Sequence, residues 1–169
     1  LFRNYSAELT AFSHRMGLEG VEREDVVTAL TTQSYSSRAD VQGGVEDALP
    51  LGGNRNDCWN GEMVDKGRTV LERTVKGQLR HSFPRCPEEL IEELTSQLLS
   101  VDLLSNVSMH LGIDSLIRTS EVPVSATSCA ECFIALCGAM GEEKTRRLVA
   151  DFIIPQLYDV DITDAFPLK

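Results

Sequence analysis

Two groups of side chains in this sequence have the chemistry to do something beyond folding. The first is Cys129 and Cys132, which have the Cys-x-x-Cys spacing of zinc sites and redox pairs. The second is Lys66, Arg73, Lys76 and Arg80, spaced by seven, three and four residues, so that on a helix they share one face. Arg68 and Arg85 lie nearby in sequence. For the thiols the surrounding pattern points to packing. Cys129, Cys132, Phe133, Leu136 and Met140 fall on one apolar helix face, where cysteine behaves as a small hydrophobe. The five cysteines (these two with Cys58, Cys86 and Cys137) have no regular spacing, which argues against a secreted disulfide framework and for reduced thiols in an intracellular compartment. For the basic stripe the commoner use is a solvated face. The alternative is docking on RNA phosphates or on an acidic neighbour, which makes these four the candidate contact residues. His14, His81 and His110 are dispersed, each on an expected helix, and receive no catalytic role. No Ser/His/Asp or Cys/His nucleophile motif is present, and neither a metal nor a cofactor is expected.

The elements that must position these residues read as helices nearly throughout. Leu9, Phe12 and Met16 recur at helical spacing before a stop at Gly17. The acidic run Glu22-Arg-Glu-Asp25 suits the start of a helix through Val26, Val27 and Leu30. Met63, Gly67, Val70, Leu71 and Leu79 mark a long third helix running towards Phe83. Pro87, Glu88 and Glu89 open another, with Leu90, Ile91, Leu94 and Leu98 on its buried stripe. Ser100 is the expected N-cap of a helix through Leu111, closed by Gly112. The cysteine-bearing helix follows, and Leu148, Val149, Phe152 and Ile153 carry the last one. No alternating stretch is long enough for a strand, so the expected fold class is all-α.

Residues 36–61 break the pattern with Gly43, Gly44, Gly52, Gly53, Gly61, Asn54, Asn56 and Asn60, and read as a long surface loop. Trp59 within it is expected to fold back onto the helices, the alternative being an anchor to a neighbouring protein or RNA. The length of 169 residues and 42% hydrophobic content suit one compact domain over 1–169. No apolar run approaches the roughly 20 residues of a membrane span. The net charge of −10 and pI near 4.7 are the reverse of what free-standing RNA binding by counterion release requires. A start at Leu1 rather than methionine suggests processing or trimming, and a targeting segment would then leave no trace.

Several short stretches carry a family likeness. Phe133-Ile-Ala-Leu-Cys-Gly-Ala139 resembles a helix signature of ribonuclease III, and Gly67-Arg-Thr-Val-Leu71 resembles the Gly-Asp-Ala-Val-Leu end of the other signature. Ala29-Leu-Thr-Thr-Gln-Ser-Tyr35 is similar to the family's Ala-Leu-Thr-His-x-Ser-Tyr element, with Thr32 in place of the histidine. Phe83-Pro84 and Leu104-Ser-Asn-Val-Ser-Met-His-Leu-Gly112 fall where the family has a Phe-Pro turn and a helix ending in Leu-Gly. The resemblance implies an RNase III-like helical fold covering most of the chain outside 36–61. It also places acids at four positions, occupied here by Val64, Arg68, Glu131 and Ile134. Hard Mg²⁺ ions need several converging oxygen ligands to clamp a phosphodiester. With one acid of the four, the resemblance implies a dismantled active site and no ribonuclease catalysis. Asp65 stands where the family usually has an aromatic dimer contact, which implies weak self-association and a different protein partner.

Among RNase III-like proteins without a catalytic set, the likeness is greatest to the large-subunit mitochondrial ribosomal protein 44 family. It rests on Ala7-Glu-Leu-Thr-Ala-Phe12 and on Gly141-Glu-Glu-Lys-Thr-Arg-Arg-Leu-Val-Ala-Asp-Phe-Ile-Ile-Pro-Gln-Leu157. That resemblance implies a structural role in the mitochondrial ribosome, with ribosomal proteins and rRNA as partners. The family's usual double-stranded-RNA-binding domain is not found in this stretch. Two alternatives stay open: a pseudo-nuclease subunit of another mitochondrial RNA processing or editing complex, and a ribonuclease active only with another RNase III-like subunit that supplies the acids.

Overall fold

The computed structural model describes residues 4–37 and 59–159, and these are helical apart from turns and one isolated parallel bridge between Thr31 and Arg118. Local chemistry sets where the helices start and stop. Helix α1 (Tyr5–Arg15) begins where the Asn4 side chain accepts a hydrogen bond from the Ala7 amide at 3.2 Å, and its end turns at Gly17, φ 64°. Helix α2 (Arg23–Ala29) carries Glu24 and Asp25 in its first turn, against the positive end of the helix dipole. Helix α3 (Gln33–Ser36) is a single turn, too short to leave a periodic signal. Helix α4 (Gly61–Ser82) is the long one, with Val64, Gly67, Val70, Leu71, Thr74, Val75 and Leu79 buried. Helix α5 (Glu88–Leu98) starts one residue after Pro87, whose carbonyl accepts from the Leu90 and Ile91 amides.

Helix α6 (Val101–His110) starts at Ser100, whose hydroxyl accepts from the Leu103 amide, and closes at Gly112, φ 77°, with the Ile113 amide returning to the Ser108 carbonyl at 3.0 Å. A 3₁₀ turn at Asp114–Leu116 leads on to helix α7 (Ala126–Met140), capped by Ser125. Helix α8 (Glu142–Leu148) then passes into a π turn (Val149–Ile153) and a 3₁₀ segment (Ile154–Asp159). The apolar spacing at 148–153 reads as one regular helix, and the structure divides it. Pro155 has no N–H to give to the carbonyl four residues back, so the α-ladder cannot continue, and the Ile154 amide pairs instead with the Val149 carbonyl.

Helix α7 lies at the centre, packed by α4, α6, α2 and α8. Its residues from Ser128 to Gly138 are all buried except Glu131, so the single apolar face expected for it becomes burial on every side. The core that surrounds it includes Leu9, Phe12, Leu71, Leu79, Ile91, Leu98, Leu104 and Phe133. Of the loop expected at 36–61, residues 38–58 lie outside the described residues, while Ser36 ends α3 and Gly61 opens α4. Trp59 does fold back: its ring lies against the first turn of α4, within 3 Å of where a side chain on Gly61 would begin. Among the described residues no helix is long and apolar enough to cross a membrane.

Candidate functional site

Helices α4 and α7 cross at two glycines. A Cβ on Gly67 would stand 1.9 Å from the Ile134 carbonyl oxygen, and one on Gly138 would stand 2.4 Å from that of Met63 and 3.0 Å from the Gly67 amide nitrogen. The absence of side chains at these points lets the two backbones touch. That contact sets Val64 and Arg68, one turn apart on α4, beside Glu131 and Ile134, one turn apart on α7. A cavity of about 740 Å³ is lined by Val64, Arg68 and Glu131, with Trp59, Met63 and Asp65 among its other walls. A second, of about 310 Å³, is lined by Arg68 and Ile134 with Leu71, Leu104, Glu72 and Glu92. Arg68 borders both, so the other three positions singled out in the sequence lie around it.

Their surroundings differ in what they permit. Val64 is 7% exposed and Ile134 4%, and both belong to the hydrophobic core. A carboxylate at either point would lose its hydration, which is costly unless it is paired. Arg68 is exposed and Glu131 half-buried. Among the described residues no three His, Cys, Asp or Glu side chains come close enough to share a metal ion.

The Cys-x-x-Cys pair is part of the interior. Cys129 and Cys132 are 3% and 0% exposed, and burial pushes the Cys132 thiol up to about 12 and raises that of Cys129. Cys137, also buried, is likewise pushed up to about 12 by desolvation. Thiols held protonated in this way are poor nucleophiles and poor metal ligands. Cys132 accepts a hydrogen bond from Asn60 Nδ2 at 3.5 Å, and the same amide nitrogen donates to the Ala29 carbonyl at 3.1 Å, tying the start of α4 to α2 and α7. The neighbouring Ala29–Tyr35 stretch is a structural latch. Thr32 Oγ1 donates to the Arg118 carbonyl at 3.2 Å, and the Arg118 guanidinium lies 4.5 Å from the centre of the Tyr35 ring.

The basic stripe does lie on the outer side of α4, but most of it is engaged within the chain. Lys76 Nζ is 2.8 Å from both Glu72 and Glu92, which hold its ammonium above the ordinary lysine range. Arg80 pairs with Glu88, and Arg73 lies 3.7 Å from Glu142. These pairs link α4 to α5 on one side and to α8 on the other. Lys66 and Arg68 have no ion pair among the described residues.

Sequence reasoning left the histidines apart, and the fold joins two of them. His14 at the end of α1 and His110 at the end of α6 line one cleft of about 630 Å³ with Arg15, Arg147, Asp151 and Phe152. No local spacing signals this, because the residues come from three distant segments. The family model described as large ribosomal subunit protein mL44, endonuclease domain, matches residues 4–140. Large ribosomal subunit protein mL44 of Caenorhabditis elegans is similar to this chain, with 43% identity over 165 residues, which is 98% of the chain. The chain spans about 42% of the length of that relative.

Proposed function

Since the chain belongs to the family of the endonuclease domain of large ribosomal subunit protein mL44, we propose that it is a non-catalytic, structural component of the mitochondrial large ribosomal subunit. In this reading residues 1–169 form one RNase III-like domain that uses its surface for contacts with ribosomal proteins and rRNA. The observation that carries the loss of catalysis is the α4–α7 crossing. Val64 and Ile134 are core hydrocarbons there, and Arg68 is a cation, so three of the four positions where the RNase III signatures place acids hold groups that cannot ligate Mg²⁺. Glu131 alone does not make a two-metal clamp.

The outer stripe of Lys66, Arg73, Lys76 and Arg80 is the proposed contact surface for RNA or an acidic neighbour, with Lys66 the residue whose charge is least engaged within the chain. Asp65, exposed beside it, gives a second copy no apolar knob to bury, so the domain pairs with a different protein rather than with itself.

Two measurements test this. A tagged protein expressed in its own cells is expected to sediment with mitochondrial large ribosomal subunits; sedimentation with an RNA processing or editing complex instead overturns the ribosomal assignment. The purified chain, given Mg²⁺ and double-stranded RNA, is expected to leave the RNA intact. Cutting that needs Mg²⁺ and disappears in Glu131→Ala overturns the loss of catalysis.

A further inference from the structure

The cleft between the ends of α1 and α6 and the α8–π-turn segment shares no lining residue with the two cavities around Arg68. On a chain of net charge −10 its lining is unusual: two arginines and two histidines against one carboxylate, Asp151. Two helix C-termini converge on it, and their free carbonyls would ordinarily repel an anion. Both ends are covered by cations. Arg15 Nη2 donates to the Leu111 carbonyl at 2.8 Å, and Lys144 Nζ donates to the Gly17 carbonyl and, at 3.2 Å, to that of Glu19. Arg147 is exposed at the rim with no ion pair among the described residues. In the same lining, the exposed His110 ring and the half-buried Phe152 ring lie 6.1 Å apart at an interplanar angle of 55°.

We propose that this cleft binds RNA, taking a turn of unpaired backbone with a phosphate against Arg15 and Arg147 and a base against the His110–Phe152 pair. The inference rests on the reading of the chain as a ribosomal protein and names a surface of contact for it. Unpaired RNA is recognised by this combination: cations for the phosphate, and imidazole and aromatic rings on which a splayed base can stack. The volume of about 630 Å³ is that of a site for a small organic group rather than for a lone ion. An acidic protein segment would use the arginines and leave the ring pair without a purpose, so RNA fits the whole lining better.

The test uses the purified chain and a fluorescein-labelled, mixed-sequence RNA hairpin with an unpaired loop, followed by fluorescence anisotropy across a salt series. Binding by the unaltered chain at about 50 mM salt is expected, falling steeply as salt rises. Arg147→Glu combined with His14→Gln should weaken it at least about tenfold and flatten the salt slope by about one for the lost arginine. Arg85→Glu, the same charge reversal in the exposed turn between α4 and α5, should change it much less. Equal effects of the two reversals, or no binding by the unaltered chain, overturn the proposal. In case the double variant does not fold, 4-thiouridine crosslinking of the unaltered chain gives an independent answer. Adducts in the peptides around 14–17, 110–112 and 147–152 support the cleft, and adducts confined elsewhere overturn it. Sedimentation with ribosomal subunits reads the underlying assignment separately, since a ribosomal protein that binds no RNA through this cleft would still sediment with them.

Discussion

Gly67 and Gly77 sit on the same helix, and the structure uses them in opposite ways. Gly67 faces inward, where a Cβ would run into the Ile134 backbone; Gly77 faces outward, with nothing within 4 Å of where its Cβ would be. The inner side of α4 is governed by atomic volume, because both the groove around Gly67 and the one around Gly138 are already filled by backbone. The outer side is governed by charge, and there a methyl group more or less has no neighbour to disturb. The same residue type is therefore a packing requirement at one point and an unused flexibility at the other. Val64 of α4 and Ile134 of α7, two of the positions singled out by the likeness to ribonuclease III, are core hydrocarbons at this crossing, where an unpaired carboxylate would lose its hydration.

The sharpest way to break this comparison is to make one substitution at both glycines. Gly67→Ala should be the most damaging change considered, at or beyond the upper end of the roughly 1–3 kcal/mol typical of overpacking, since the obstruction is backbone that cannot rotate away. Urea unfolding measures it, and a midpoint close to that of the unaltered chain would mean that the crossing is looser than drawn. Next in size is Asn60→Ala. Asn60 is 2% exposed, and its loss strands the Ala29 carbonyl in the interior, a cost of about 1–3 kcal/mol by the same assay. Gly77→Ala should go the other way, raising stability by roughly 0.8–1 kcal/mol because alanine is the better helix former at an open site. A loss of stability there would show that the outer face of α4 is covered by something.

How far these features were legible beforehand depends on whether their cause is local. The starts at Ser100 and Pro87 and the stops at Gly17 and Gly112 follow from the chemistry of one turn, and the apolar spacing of α4, α5 and α6 from one helix; all could be read along the chain. The long helix was legible too, but not its crossing point, because glycine at 67 says only that a side chain is missing and not which backbone fills the space. The π turn escaped because its cause, Pro155, lies beyond the apolar residues that suggested a regular helix. At the candidate site, family likeness singled out Val64, Arg68, Glu131 and Ile134, whereas the shared cavities around Arg68 needed two helices to be brought together. His14 and His110 line one cleft only because the ends of α1 and α6 are brought to it from distant parts of the chain, which no spacing within either helix reveals.

The smallest effect on stability, and the finest test of the charged side, belongs to the stripe. Lys66, Arg73, Lys76 and Arg80 were legible as one face, but helix spacing shows only a face and not what opposes it, and the opposing groups turn out to be Glu88 and Glu92 of α5 and Glu142 of α8. Exposed pairs of this kind gain little, because water competes for both partners and salt screens them. Changing all four to glutamine should therefore leave the urea midpoint nearly unmoved, and any difference should shrink as salt is added. Entry into the ribosomal particle proposed above is a separate readout. If the stripe docks, the fourfold variant enters less well, and Lys66→Gln alone reproduces most of the loss, since the other three charges already have carboxylates of their own. If the fourfold variant enters as well as the unaltered chain at raised salt, the stripe serves only to hold α5 and α8 against α4, and the outer face of the helix contributes nothing to assembly.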